Sequence, residues 1–110
     1  MAGIAFMDNT EPGWRSRIDG GSLDIKYDCG CVVGQVYGSF NANMGKGRLL
    51  ETYKQAADLG FYAYSHGTSG ADAEYAALTK AWLDILAAED SARRLTQRVM
   101  YTSERIAIAA

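Results

Sequence analysis

The residues with the most reactive side chains are two cysteines, Cys29 and Cys31, and one histidine, His66. Thiolates bind soft metals such as zinc, but a structural zinc site takes four Cys or His ligands, so two copies of the chain would have to share one. A disulfide across one intervening residue is strained, and redox motifs place two residues between their cysteines. A Cys–His nucleophile pair would need a catalytic signature that this sequence lacks. We therefore predict no metal site and no catalytic residue, and expect two partly buried thiols, one on a packed face.

Three glycines recur at every fourth position, Gly30, Gly34 and Gly38. Neither Gly-x-Gly-x-x-Gly nor the phosphate-loop lysine pattern is present, so the sequence predicts no nucleotide cofactor of a standard kind. In a helix this spacing produces a smooth face that permits close backbone approach. We predict a short helix over 31–37 that ends at Gly38, with Gly34 against a neighbouring element and Gln35 turned toward a polar partner.

Aromatic side chains are the remaining candidates for binding. The chain has two Trp, seven Tyr and three Phe residues. Large amphipathic rings fill cores, and they anchor protein interfaces where a cluster is exposed. We predict that four aromatic residues bind a partner: Trp14, Tyr62, Tyr64 and Tyr101. The three tyrosines lie outside the segments with the clearest helical pattern. A place in the core is the alternative for each of them.

Charge is distributed unevenly. Residues 1–90 carry seven basic and twelve acidic side chains (net −5), while residues 91–110 carry four arginines and Glu104 (net +3). A basic end binds nucleic acid through phosphate neutralisation. Four arginines are few, and no extended basic stripe interleaved with aromatic residues accompanies them. The favoured interpretation is that Arg93 and Arg94 close the last turn of a long helix and that the other two are solvated. The nucleic-acid alternative would use Arg93, Arg94, Arg98 and Arg105.

Length and composition indicate one compact domain. The 110 residues are 48% hydrophobic and 22% charged, enough for a core without disulfides or metals. No run approaches the roughly 18 apolar residues of a membrane span, and residues 1–8 lack a basic leader, so we expect an intracellular protein that does not enter a membrane.

Helical segments dominate the predicted structure. Residues 71–95 are rich in strong helix formers, without proline or glycine, and are typical of an amphipathic helix. A second helix is predicted over 47–59, stopped by Gly60, with Phe61 packing back across its end. A third, short helix is predicted to begin near Pro12.

Two segments, 23–27 and 61–66, are aromatic or alternating enough to predict short strands. Residues 96–110 are expected to form an extended or flexible C-terminal tail, with an added strand as the alternative. The predicted fold class is therefore mainly α, a compact single domain over 1–110 with two or three principal helices and a short β patch. A small α+β fold is the alternative.

Several motifs together resemble a known group of proteins. They are Pro12-Gly-Trp-Arg-Ser-Arg-Ile-Asp19, Leu23-Asp-Ile25, Cys31-Val-Val-Gly-Gln35 and Tyr75-Ala-Ala-Leu-Thr-Lys-Ala-Trp82. This pattern, over 12–38 and 59–86, resembles small accessory proteins of mycobacteriophages and other actinobacterial phages, whose pattern has Leu at the position of Val33. Cys29 and the residues beyond Arg94 fall outside it. No activity is established for the group, so the resemblance implies origin: a phage protein acting in the host bacterial cytoplasm.

The sequence thus favours a phage accessory protein that is not an enzyme and needs no cofactor. Its expected partner is a host bacterial protein, or a second copy of itself in a homo-oligomer. Two other classes remain as alternatives: a small-ligand sponge that takes up nucleotides against host defence, and a weak nucleic-acid-binding protein that uses the C-terminal arginines.

Overall fold

A computed structural model describes residues 1–109, with side chains for residues 1–100. The chain is mainly helical, as predicted. It separates into two compact units, one from Met1 to Lys80 and a second that begins at Ala81. The α-helices are α1 (Ala2–Thr10), α2 (Val32–Tyr37), α3 (Tyr53–Asp58) and α4 (Ala71–Ala109), and short 3₁₀ helices span Trp14–Arg17 and Asn41–Asn43. Within the described residues, no helix combines the length and apolar character that a membrane crossing requires.

The core of the first unit is built from residues scattered over its length. Its largest fully buried side chains are Met7, Trp14, Cys31, Val32, Val33, Leu50 and Phe61. They come from α1, the first 3₁₀ helix, α2 and the loops on either side of α3. Short helices and loops therefore share one apolar interior.

Helix α2 matches the prediction for 31–37. The Sγ atom of Cys31 accepts a hydrogen bond from the backbone of Gly34 at 3.3 Å, and Gly38 ends the helix with φ +96°. A Cβ atom on Gly34 would overlap the carbonyl oxygen of Asp28 and lie 2.7 Å from the Cα of Cys29. Gln35 binds the backbone of Asp19 in both directions: Oε1 accepts from N at 2.7 Å, and Nε2 donates to O at 3.1 Å.

Helix α3 ends as predicted but is shorter at its start. The backbone N of Phe61 donates to the carbonyl of Ala56, and that of Gly60 donates to Ala57, as in a Schellman motif with Gly60 at φ +86°. The prediction that the helix begins at residue 47 is wrong. Thr52 caps it instead, by accepting from Gln55 N at 3.0 Å, and residues 47–51 belong to a loop.

The two predicted strands are wrong. Residues 23–27 and 61–66 form turns, because their backbone groups find partners within the same loop, such as Tyr27 N to Asp24 O and His66 N to Ala63 O. Among the described residues, β pairing is limited to one isolated bridge between Met44 and Leu50.

The ends of the chain are more helical than expected. Helix α1 was not predicted, and the predicted short helix near Pro12 is a 3₁₀ turn, Trp14–Arg17. Residues 96–109 continue α4, so the expectation of an extended tail or an added strand is wrong as far as residue 109. The reason is local: no glycine or proline interrupts the chain between 71 and 109.

Candidate functional site

A cavity of about 220 Å³ opens in the first unit, where three loops meet α3 and the start of α4. Most of its lining is aromatic, and we call the cavity with these residues the aromatic cleft. The rings come from Tyr27, Phe40, Tyr53, Phe61, Tyr62 and Tyr75, and the imidazole from His66. Lys26, Asp28, Asn41, Cys31 and Ile25 complete the wall.

Tyr62 lies at the centre of the cleft and touches four other rings. Its ring is stacked on Phe40 with centroids 5.7 Å apart, and it is tilted against Tyr53 at 4.9 Å. The His66 ring is tilted against the Tyr62 ring with centroids 4.6 Å apart, and the Tyr75 ring meets Tyr62 edge-on with centroids 6.3 Å apart. These four ring contacts hold Tyr62 in a defined position within the cleft.

The rim of the cleft exposes tyrosine. Tyr27 is 60% exposed and Tyr53 is 52% exposed, whereas Tyr62 is half-buried beneath them. Tyr64, just outside the lining, is 68% exposed. It is held in place, since its hydroxyl bonds to the carboxylate of Asp58 and its backbone N donates to Glu74 Oε2. Tyr27 and Tyr53 thus present amphipathic rings to solvent at the cavity.

One carboxylate and one ammonium group reach the cleft. Asp28 accepts hydrogen bonds from the backbone N of Asn41 at 2.6 Å and from Ser39 Oγ at 2.7 Å. The bond from Asn41 contributes most, followed by the bond from Ser39, and together they hold the pKa of Asp28 below its ordinary value. The carboxyl group is therefore ionised at neutral pH. Lys26 forms an ion pair with Asp72 Oδ1 at 3.0 Å, and this bond raises the pKa of Lys26.

Cys31 and His66 both line the cleft, but neither is poised for nucleophilic chemistry. Burial raises the pKa of the Cys31 thiol to about 11, so it stays protonated at neutral pH and is a poor nucleophile. His66 Nδ1 is hydrogen-bonded to the Tyr75 hydroxyl at 2.7 Å. Cys29 is exposed in the turn before Cys31, so the expectation that both thiols are partly buried is wrong for Cys29. Among the residues described, no three Cys, His, Asp or Glu side chains are grouped so as to hold a metal ion.

The predicted partner-binding residues are divided by the structure. Tyr62 lines the cleft, whereas Tyr64 is exposed and is not among the lining residues. The prediction that Trp14 binds a partner is wrong, because its side chain is fully buried in the core. Its Nε1 donates a hydrogen bond to Asp8 Oδ1 at 3.0 Å. The side chains of Tyr101 and Arg105 lie outside the described residues.

Sequence reasoning missed Tyr27, Tyr53 and Tyr75 as members of the site. Tyr53 falls within the predicted helix over 47–59, but the later start of α3 leaves it at the first helical position, half exposed. Tyr75 belongs to the first turns of α4, and Tyr27 to a turn. No local spacing pattern links these three residues, so only long-range packing reveals them.

The C-terminal arginines lie on α4 in the second unit. Arg93 and Arg94 both form ion pairs with the carboxylate of Asp90. The distance from Arg94 Nε to Asp90 Oδ2 is 3.0 Å. Arg98 is exposed. These positions lie along a continuing helix, not at its end, which corrects the expectation that Arg93 and Arg94 close its last turn.

No family model matches this chain, and neither a curated protein nor a solved structure matches it.

Proposed function

We propose that this protein is a phage accessory protein that acts in the bacterial cytoplasm, without catalysis, by binding a host protein through the aromatic cleft. The observation that carries the proposal is a cavity lined mostly by aromatic rings, two of which, Tyr27 and Tyr53, are exposed to solvent. The resemblance of residues 12–38 and 59–86 to actinobacterial phage proteins supports the assignment of origin.

Tyrosine is suited to this role because its ring contributes large apolar area and its hydroxyl contributes a hydrogen bond at small entropic cost. Tyr53 and Tyr64 present their rings to solvent, while contacts with Tyr62 and Asp58 hold them in place. Burial raises the pKa of Tyr62 and of Tyr75, so both hydroxyls stay protonated. The hydroxyl of Tyr75 is engaged with His66 Nδ1 at 2.7 Å. A protein side chain entering the cavity would therefore meet an apolar floor and polar rim, the arrangement of an interface hot spot.

The lining fits a protein group better than a nucleotide. A nucleotide needs cations for its phosphates, but the lining residues include no arginine, and Lys26 is paired with Asp72. The cavity is also smaller than the roughly 300–1,000 Å³ of common small-molecule pockets. The nucleic-acid alternative is weakened because Arg93 and Arg94 share Asp90 as their partner.

The test compares capture of host proteins by the wild-type protein and by cleft variants. Tagged protein is incubated with nuclease-treated and untreated lysate of an actinobacterium, and the captured proteins are quantified by mass spectrometry. Tyr53→Ala and Tyr64→Ala should each weaken capture of one host protein, by about 30-fold where the ring is a hot spot. Glu51→Ala, an exposed residue on the loop before α3, is the matched control and should leave capture unchanged.

Other outcomes would overturn the proposal. Capture that disappears after nuclease treatment would favour the arginines of α4 and nucleic acid. No specific capture, together with a rise in melting temperature on addition of cyclic or linear nucleotides, would favour the ligand sponge. Capture that survives in both tyrosine variants would place the interface away from the cleft.

A further inference from the structure

The part of α4 in the second unit carries apolar side chains in solvent. Leu95 is 63% exposed, Val99 is 57% exposed and Met100 is 60% exposed. Large apolar side chains this exposed are unusual when they recur along one helix, and a repeated series of them marks an interaction surface. None of these residues lines the aromatic cleft, whose residues all belong to the first unit.

The apolar positions follow a coiled-coil repeat. Starting at Ala81, steps of four and three residues alternate to the end of α4, and eight of the nine positions reached are apolar. We call this series the seam: Ala81, Ile85, Ala88, Ala92, Leu95, Val99, Thr102, Ile106 and Ala109. A repeat of 3.5 residues keeps one stripe facing a neighbouring helix over several turns. The seam is exposed from Ala88 through Val99, whereas Ile85 is half-buried.

The charges beside the seam select the occupant and its direction. Residues 81–92 carry three acidic residues and no basic residue, whereas residues 93–109 carry four arginines and Glu104. By the heptad register, Asp84 and Glu89 flank the seam in the first segment, and Arg98 and Arg105 flank it in the second. The other charges lie at outer positions, where Arg93 and Arg94 pair with Asp90 of the same helix. Two copies in parallel would place acidic segment beside acidic segment and arginines beside arginines. Two antiparallel copies place each acidic segment beside the arginine-rich segment of the other, so the chain is complementary to itself in that direction alone.

We infer that α4 pairs with α4 of a second copy in an antiparallel coiled coil along the seam, making the protein a homodimer. In the alignment centred between Ala92 and Leu95, Ala92 lies opposite Leu95 of the second copy, and Ala88 lies opposite its Val99. Alanine at two successive seam positions lets the helices approach closely, and the larger Leu95 and Val99 fill the space across from them. Dimerisation does not depend on the proposed host partner, so either proposal can fail alone.

The first test is the oligomeric state of the purified full chain by analytical ultracentrifugation over a wide concentration range. We expect a monomer–dimer equilibrium that shifts toward monomer as ionic strength rises, because salt screens the complementary charges. Leu95→Glu should weaken dimerisation at least tenfold by placing a carboxylate in the apolar seam. Gln97→Glu adds the same charge on the opposite side of the helix and should leave the dimer intact. A wild-type chain that stays monomeric at every concentration, or equal effects of the two variants, would overturn the inference.

The second test fixes the direction of the helices. In a Cys29→Ser background, Ala88→Cys and Val99→Cys proteins are oxidised separately and as a mixture. The antiparallel alignment predicts that the mixture forms disulfide-linked dimers, each joining one Ala88→Cys chain to one Val99→Cys chain. Each protein oxidised alone should form few disulfide-linked dimers. Efficient linkage of Ala88→Cys with itself would show parallel helices and contradict the proposed arrangement.

Discussion

At the scale of single residues, Gly34 sets how closely α2 packs on the segment that precedes it. Any side chain there meets backbone atoms of Asp28 and Cys29, which cannot move aside as a flexible side chain would. This close approach also positions Asp28 at the wall of the cleft, where its carboxylate caps the turn of residues 39–41. One missing methyl group thus links the packing of α2 to the shape of the candidate site.

Gly34→Ala is therefore expected to destabilise the protein by about 3 kcal/mol, at the upper end of the cost of overpacking a core. Urea unfolding followed by circular dichroism measures this free energy. Gly21→Ala is the matched control, since its Cβ would make an ordinary contact at 3.4 Å with a side-chain oxygen of Asp19. Equal stability of the two variants would show that α2 can shift to make room.

The lowered pKa of Asp28 predicts that the stability of the protein falls at acidic pH. Its folded-state pKa lies below the ordinary value of 3.8, so the unfolded chain takes up the proton first as the pH falls. The stability that Asp28 contributes is therefore present above that ordinary pKa and is lost as the pH falls through the folded value. We expect the melting temperature to fall below about pH 5, and less steeply in Asp28→Asn. Glu51→Gln, which removes an exposed carboxylate, should keep the wild-type profile.

At the scale of elements, helix α3 begins and ends where single residues stop it, Thr52 at its start and Gly60 after its end. The Thr52 hydroxyl supplies the first turn with an acceptor, and Gly60 adopts the left-handed conformation that lets Phe61 fold back into the core. Between these stops the helix is only six residues long, too short to persist without packing. The exposed ring of Tyr53 is fixed in the cleft because this short helix is capped at both ends.

Thr52→Ala should cost about 1 kcal/mol of stability, the usual loss when an N-cap acceptor is removed. Thr52→Ser keeps the acceptor oxygen and should retain most of that stability. Thermal unfolding of the two variants gives the comparison. The cap would be unimportant if alanine and serine had the same effect.

At the scale of the whole molecule, Trp14 connects two parts of the first unit. It is completely buried, its indole N–H is bonded to Asp8 of α1, and Arg15 covers its ring at 4.6 Å from the centroid. Such a residue contributes to stability throughout the unit and has no surface to offer a partner.

Trp14→Ala should therefore destabilise the protein by about 3–5 kcal/mol, the typical cost of truncating a large buried aromatic residue. Trp14→Phe, which keeps most of the apolar volume, should remain folded and capture the host protein as the wild type does. Chemical unfolding and the capture assay measure the two effects. Loss of capture by a fully folded Trp14→Phe protein would return Trp14 to the binding surface.

Local signals in the sequence were sufficient for much of the helical structure. Glycines at 38 and 60 stop α2 and α3 because the conformation they adopt is costly for other residues. The unbroken run of helix formers from residue 71 determines α4, although its length was underestimated. Each of these outcomes depends on residues within one or two turns of each other, which is why the amino-acid order alone determines them.

The tertiary structure alone decided which aromatic residues are buried and which meet in the cleft. Tyr27, Tyr53, Tyr62 and Tyr75 come from four separate segments. Trp14, which was expected to bind a partner, lies in the core. The segments 23–27 and 61–66 resemble strands in composition but form turns, since a strand needs a neighbouring strand and the chain offers none among the residues described. Burial and pairing depend on segments far apart in sequence, and their contacts are decided only when the whole unit packs.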